Sequence, residues 1–243
     1  MNIKDYYKSP DQDRIIELAV EGATAGRITE EIKSSVDDII LEASDAAYEI
    51  FLEEEKKSGI VAIKTYLEEK ISNNYDSRGT LINKVAEHFS DYDKFFLSLS
   101  QARKSRAGKT FEHILKPLFD KCNIPYSFQA VVNGKPDFII PDRESYLQAP
   151  QNTLVVTAKR TVRERWRQIA TEGARGFRFY LATIDKKISK NTLDEMSQNQ
   201  VSLLIPQPVI DEIEIYQNHN IIYSYETLFK KLIPHCLDLW ENR

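Results

Sequence analysis

Three short apolar runs set around an Asn133-Gly134 pair most constrain how this chain folds. Ala130-Val131-Val132 precedes the pair, Phe138-Ile139-Ile140 follows it, and Leu154-Val155-Val156 comes next. Asn-Gly between apolar runs is a strong hairpin signal, because a type I′ turn needs positive φ at both central residues. Asp137 then lies on the second strand of a hairpin. The Leu154 run, short and β-branched, reads as a buried strand ending at Lys159. Adjacent strands would present Asp137 and Lys159 together.

The surrounding pattern predicts further elements. Ile32, Val36, Ile39, Ile40, Ala43, Ala47, Ile50 and Phe51 recur at three- and four-residue steps, which predicts one long amphipathic helix with Gly59 as its stop. More helices are expected near 80–99 and 108–121, the latter with Phe111, Ile114, Leu115, Leu118 and Phe119 on one face. Phe177 to Ile184 and Val201 to Ile205 read as strands around a helix near 191–199. Thr227 to Trp240 reads as a final helix interrupted by Pro234. Strands alternating with helices predict an α/β fold, a central mixed sheet flanked by helices, with a helical N-terminal region. The expected division is residues 1–75 for that region and 76–243 for the core that holds the sheet, the two forming one compact unit.

The chemistry-bearing residues crowd into the same stretch. Pro136-Asp137, Lys159, Arg163-Glu164-Arg165 and Glu172 bring three carboxylates and a cluster of cations into under forty residues. A phosphodiester is shielded by its own negative oxygens, so its hydrolysis needs cations to neutralise developing charge and to make water nucleophilic. Carboxylates hold such cations and lysine supplies a fixed one. Thr161 to Glu164 matches a threonine-x-x-glutamate capping box that opens a helix, closed by Gly173 and Gly176. Each residue alone has a structural explanation: Pro-Asp pairs are common in turns, strand-end lysines are usually solvated, and the capping box accounts for Glu164. Their coincidence in one segment favours a single site.

The net charge of −4 looks wrong for a DNA-binding chain, but its distribution resolves this. Residues 1–60 carry fifteen acids against seven bases, so the remaining residues hold a net +4, with bases dense at 103–109 and 159–167. Phosphate contacts need only a local basic surface. Cys122 and Cys236 have no metal-binding spacing, and two cysteines in 243 residues suit a reducing interior. His88, His113, His219 and His235 form no ligand pattern. The polar N-terminus carries no secretion leader and no apolar stretch spans a bilayer, so a cytoplasmic protein without membrane contact is expected. No Gly-rich phosphate loop appears, which argues against a nucleotide cofactor.

Pro136-Asp137, the run Thr157-Ala158-Lys159-Arg160-Thr161-Val162-Arg163-Glu164-Arg165-Trp166-Arg167-Gln168, Glu172, and the earlier block Gln101 to Glu112 closely resemble type II restriction endonucleases of the EcoRII, SsoII and PspGI group. That group belongs to the PD-(D/E)xK nuclease superfamily, and the resemblance covers about residues 100–176. It implies Asp137 as central metal ligand and Lys159 as catalytic lysine. Thr157 replaces the usual acid two places before the lysine. The resemblance implies Glu172 as the substitute ligand, with the Ala158 carbonyl as a backbone ligand and Glu112 in a supporting catalytic role. It implies Mg²⁺, one or two ions per site, double-stranded DNA as substrate, and 5′-phosphate ends.

Recognition falls by resemblance to Arg163, Glu164 and Arg165, with Gln101 reading G·C pairs from the minor groove. The chemistry fits, since arginine donates twice to guanine and a carboxylate accepts from cytosine N4. The implied site is CCNGG or CCWGG, with CCGG also open. Some relatives extrude the central bases. A site cut on both strands needs two active centres, so a homodimer is expected, with the N-terminal helices or the helix before residue 112 at the interface. Competing readings are a repair or structure-specific nuclease of the same superfamily, which would not need the triplet, and a DNA-binding module lacking metal ligands.

Overall fold

The computed structural model describes residues 1–71, 77–132, 134–162, 166–167 and 179–241, with backbone only at 104–105 and 107–109. Five helices lead the chain: α1 (Gln12–Ala23), α2 (Thr29–Ser34), α3 (Val36–Lys70), α4 (Arg78–Glu87) and α5 (Phe89–Lys121). Asp11 caps α1 by accepting from the amides of Asp13 and Arg14. The predicted single helix beginning at Ile32 is broken at Ser35. The Ser35 hydroxyl donates to the Glu31 carbonyl at 2.7 Å and accepts from Arg27 at 3.0 Å. Such local bonding competes with the helical ladder.

Two further expectations are corrected. Gly59 does not stop α3, which runs on to Lys70. Gly59 is buried in mid-helix beside the ring of Phe95, with room there for a Cβ at 3.9 Å, so it marks a packed stretch of α3 rather than a terminus. Nor does the chain break between residues 99 and 108. α5 continues for 33 residues, because strong helix formers fill the stretch and one interior glycine costs only about 1 kcal/mol.

Among the described residues six strands follow: β1 (Ser127–Phe128), β2 (Phe138–Ile140), β3 (Leu154–Ala158), β4 (Phe179–Ala182), β5 (Val201–Leu204) and β6 (Ile222–Tyr223). They lie in sequence order in one mixed sheet. β1, β2 and β3 pair antiparallel, whereas β3 to β6 are parallel. β1 and β2 pair antiparallel, but β1 is Ser127–Phe128: the expected first strand, Ala130–Val132, lies in the connection, where Val132 makes only an isolated bridge to Gly134, and Asn133 is outside the described residues. A helix at Lys190–Gln198 connects β4 to β5 as expected. The C-terminal helix carries a π-helical turn at Leu228–Leu232 just before Pro234. That wider turn relieves the clash of the proline ring with the carbonyl four residues back.

Both sheet faces are covered, as parallel strands require. Phe138, Ile140, Val156, Ala158, Tyr180, Ala182 and Leu204 pack on α1, α3, α5 and the C-terminal helix. The alternate residues Ile139, Val155, Phe179, Leu181, Val201 and Leu203 pack beneath Trp166, Leu193, Met196 and Tyr216. The first of these cores runs from Ile15 to Cys236, so the N-terminal helices and the sheet share it. A separate small cluster of Ile3, Ala62, Tyr66, Phe95 and Leu99 joins the far ends of α3 and α5.

Candidate active site

Asp137 immediately precedes β2 and faces β3. Its carbonyl accepts from the Gln129 amide at 2.8 Å, extending the hairpin by one step. Its Oδ2 accepts from the Ala158 amide at 2.8 Å, so the strand pairing fixes the carboxylate directly. Lys159 leaves β3 with its amide donating to the Ala182 carbonyl at 2.9 Å, which anchors it to the end of β4. Its ammonium lies 3.8 Å from Asp137 Oδ2 and 2.6 Å from Glu112 Oε1. Glu112 is held on α5, where its neighbours Phe111, Ile114 and Leu115 are sunk in the main core.

Thus the structure brings together three of the residues singled out in the sequence, Asp137, Lys159 and Glu112. Glu172 and the Arg163-Glu164-Arg165 triplet lie outside the described residues, as does the far part of the predicted capping box. Gln101 stands exposed in the middle of α5, not at a helix end, eleven residues before Glu112 and so roughly 16 Å away along the axis. Thr157, buried and opposite Asp137, offers a hydroxyl where an acid would add charge.

Burial raises the Asp137 carboxyl above the ordinary range, and Glu112 pushes the same way. The Lys159 charge, the Ala158 amide and His113 pull it back only in part. His113 itself pairs with Asp13 at 3.1 Å and sets its ring edge-on to Phe128.

A divalent cation suits this group. Two carboxylates face one ammonium, leaving a net negative charge, and the buried Asp137 carboxylate is the kind of hard oxygen donor that Mg²⁺ takes. Among the described residues no three acidic, histidine or cysteine side chains converge as a complete ligand set. Asp137 and Glu112 are the carboxylates that this part of the chain contributes.

Beside the centre, Tyr48, Phe51, Arg103, Arg106, Thr110 and Arg160 line a small depression. Arg106 lies over the Phe51 ring at 4.9 Å. Arg103 is anchored through its Nε, 2.7 Å from Glu55 Oε1, and through its Nη2 on the same oxygen. Sequence reasoning noted the basic run but missed Glu55, which lies in the acidic run Glu53-Glu54-Glu55. The detectable signal is its phase: it falls on the same helix face as Phe51, Gly59, Ala62 and Tyr66, all buried.

A buried aspartate and a lysine on adjacent strand ends, with a helical glutamate closing on the lysine, in a mixed sheet flanked by helices, define a restriction-endonuclease-like fold of the PD-(D/E)xK kind. Residues 63–228 match the family described as EcoRII C terminal, and the chain belongs to that family. It is 32% identical over 146 residues to the type II restriction enzyme SsoII of Shigella sonnei, a match over 55% of this chain and 47% of that protein. It is 31% identical over 135 residues to the type II restriction enzyme EcoRII of Escherichia coli, a match over 52% of this chain and 33% of that protein. The match therefore spans half or less of each relative's length. Metal-depleted Ecl18kI in complex with uncleaved, modified DNA superposes with a TM-score of 0.76 at 24% identity, over 98% of this chain and 81% of that one. The PspGI–substrate DNA complex gives 0.68 at 22% identity, over 94% of each chain. These structural likenesses establish the shared fold. Among the described residues no helix is long and apolar enough to cross a membrane.

Proposed function

We propose that this protein is a type II restriction endonuclease, a site-specific deoxyribonuclease acting in the cytoplasm on double-stranded DNA. The observation that carries this reading is the Asp137–Lys159–Glu112 arrangement at the strand ends. Family membership and the two curated relatives support it.

In this reading Asp137 would hold Mg²⁺ through the carboxylate that the Ala158 amide orients, with Glu172 as second ligand and one or two ions per centre. The bound cation supplies Lewis acidity and a more acidic water. Lys159 offsets negative charge on the phosphoryl oxygens as water adds to phosphorus, and Glu112 keeps the ammonium aimed. The P–O3′ bond breaks, the 3′ oxygen takes a proton and leaves as a hydroxyl, and a 5′ phosphate remains. Arg163, Glu164 and Arg165 read the outer G·C pairs of a CCNGG or CCWGG site from the major groove, with Gln101 in the minor groove. CCGG is the neighbouring alternative. The ring of Tyr48, exposed beside the guanidinium groups of Arg103, Arg106 and Arg160, suits stacking of an extruded base. Two chains act as a homodimer, one per strand, with the N-terminal region contributing to DNA contact and pairing.

Digestion of plasmid DNA with Mg²⁺ by wild type and by Asp137→Ala, followed by sequencing of fragment ends, tests this. Discrete fragments sharing one G·C-rich end motif, absent with the variant, are expected. Structure-dependent nicking without a shared motif would favour a repair nuclease instead, and no cleavage at all would overturn the nuclease reading.

A further inference from the structure

We propose that Asp185 is a positioning residue for sequence reading: with Thr183 behind it, it fixes the path by which the chain leaves Lys159 for the Arg163-Glu164-Arg165 triplet, an inference that rests on the nuclease reading above. β3 and β4 run parallel with Ala158 opposite Ala182, so the residues after each strand emerge side by side. Three hydrogen bonds then join the two exits step by step. The Lys159 amide donates to the Ala182 carbonyl at 2.9 Å. The Thr183 hydroxyl donates to the Arg160 carbonyl at 3.2 Å. The Val162 amide donates to Asp185 Oδ2 at 2.9 Å. Arg163 is the next residue in sequence. The path from the lysine to the residue before the triplet is therefore fastened to the end of β4, with Thr183 and Val162 both buried.

Asp185 is itself held from several sides. Its amide donates to the Thr183 hydroxyl at 3.1 Å, its Oδ1 accepts from the Lys187 amide at 2.9 Å, and its carbonyl accepts from the Tyr216 hydroxyl at 2.9 Å. Tyr216 is buried, and its hydroxyl oxygen also accepts from the Ile188 amide at 3.0 Å. A carboxylate beside the basic run 159–167 repels the phosphates that such a run binds, unless its charge is answered within the protein. Here both oxygens are taken by backbone amides, in charge-assisted bonds roughly twice as strong as neutral ones. Local capping does not explain the arrangement. A capping box satisfies amides with side chains of the same turn and ties a helix only to itself. An acceptor 23 residues away ties Val162 to the sheet instead. Reading and cutting must share one register, because the bases and the scissile phosphate belong to one duplex, and an error of about 1 Å costs about 100-fold in rate.

Single-turnover cleavage of two duplexes by the full chain tests the proposal, one carrying the site recovered from wild-type fragment ends and one changed at a single outer G·C pair. For Asp185→Ala the ratio of the two rates is expected to fall by roughly 10- to 100-fold, the cost of misplacing a group from outside the chemistry. A merely structural role lowers the folded fraction, which scales both rates alike and leaves the ratio where it was. Should Asp185→Ala fail to fold, Thr183→Val reads the same ratio, since it keeps the side-chain shape and removes the hydroxyl on the Arg160 carbonyl. A variant with an unchanged circular dichroism spectrum that retains the wild-type ratio, or that cuts neither duplex, overturns the positioning role alone. Wild type that cuts without a shared end motif, or not at all, overturns the nuclease reading and this role with it.

Discussion

Glu112 of α5 lies 2.6 Å from the ammonium of Lys159, at the end of β3 and forty-seven residues away in sequence. The contact makes a helix, and not only the sheet, responsible for where that charge sits. Lys159→Ala should lower kcat by about 10²–10³-fold, the usual loss on removing one preorganised group that stabilises transition-state charge. Glu112→Gln keeps the size and a hydrogen-bond acceptor but removes the charge, so a smaller fall, about 10-fold, is expected. Single-turnover cleavage with DNA in excess of its dissociation constant separates these effects from binding.

Metal removal should silence cleavage without unfolding the protein. The shared core is built of apolar side chains, and the acidic centre occupies only the edge of it. EDTA is therefore expected to abolish cutting while the thermal midpoint moves little, and added Mg²⁺ should raise the midpoint through mass action on the native state. A large drop in midpoint on chelation would instead mean a structural metal.

The Glu55–Arg103 pair is asymmetric, with the carboxylate side chain 3% exposed and the arginine side chain 43% exposed. Glu55 Oε2 has no hydrogen-bond partner, so Arg103 is its main compensation. Arg103→Met should destabilise by about 2–4 kcal/mol, somewhat less than for a fully enclosed pair because water reaches the site. Glu55→Leu combined with Arg103→Met should recover most of that loss, as replaced buried pairs commonly do. Urea unfolding of the single and double variants measures the difference.

The local pattern of the chain carried the sheet and half of the candidate site. β-branched runs and the Asn133-Gly134 pair point to β2 and β3, and strand adjacency then forces Asp137 toward Lys159. Glu112 was marked only by family likeness, because its closeness to Lys159 depends on how α5 crosses the sheet, a tertiary relation with no local signature. β1 and β6 escaped notice because two residues each leave no periodicity to read. Gly59 was misread for a related reason: a glycine that ends a helix and one packed in mid-helix beside a neighbouring ring look alike until the partner, Phe95, is known.

Acid should loosen the junction of α3 and α5 early. The Tyr66 hydroxyl donates to Asp91 Oδ2 at 2.6 Å, and His88 lies 3.3 Å from the same oxygen. The Tyr66 hydrogen bond first, and His88 second, hold the Asp91 carboxyl below its ordinary range. A depressed folded pKa means that the unfolded chain binds the proton more readily. The contribution is therefore present above the ordinary aspartate value near 3.8 and is lost as pH falls through the lower folded value. Tyr66→Phe should shrink that acid-dependent loss. Hydrogen exchange of α4 and early α5 amides between pH 3 and 5 would register it, and an unchanged pH dependence in the variant would count against this role.

Gly59 offers a direct test of why α3 runs unbroken. A Cβ built there meets Phe95 at 3.9 Å, ordinary contact distance, so a methyl group fits without displacing the ring. Glycine in a helix interior loses more backbone entropy on folding than alanine does, and no positive φ is required at this position. Gly59→Ala should therefore stabilise the protein by about 0.5–1 kcal/mol. Larger residues should reverse the sign, because Phe95 belongs to the cluster that joins the ends of α3 and α5. Chemical denaturation of Gly59→Ala and Gly59→Leu measures both. Destabilisation by alanine would show that the approach of the two helices, and not the helical backbone alone, depends on a bare Cα.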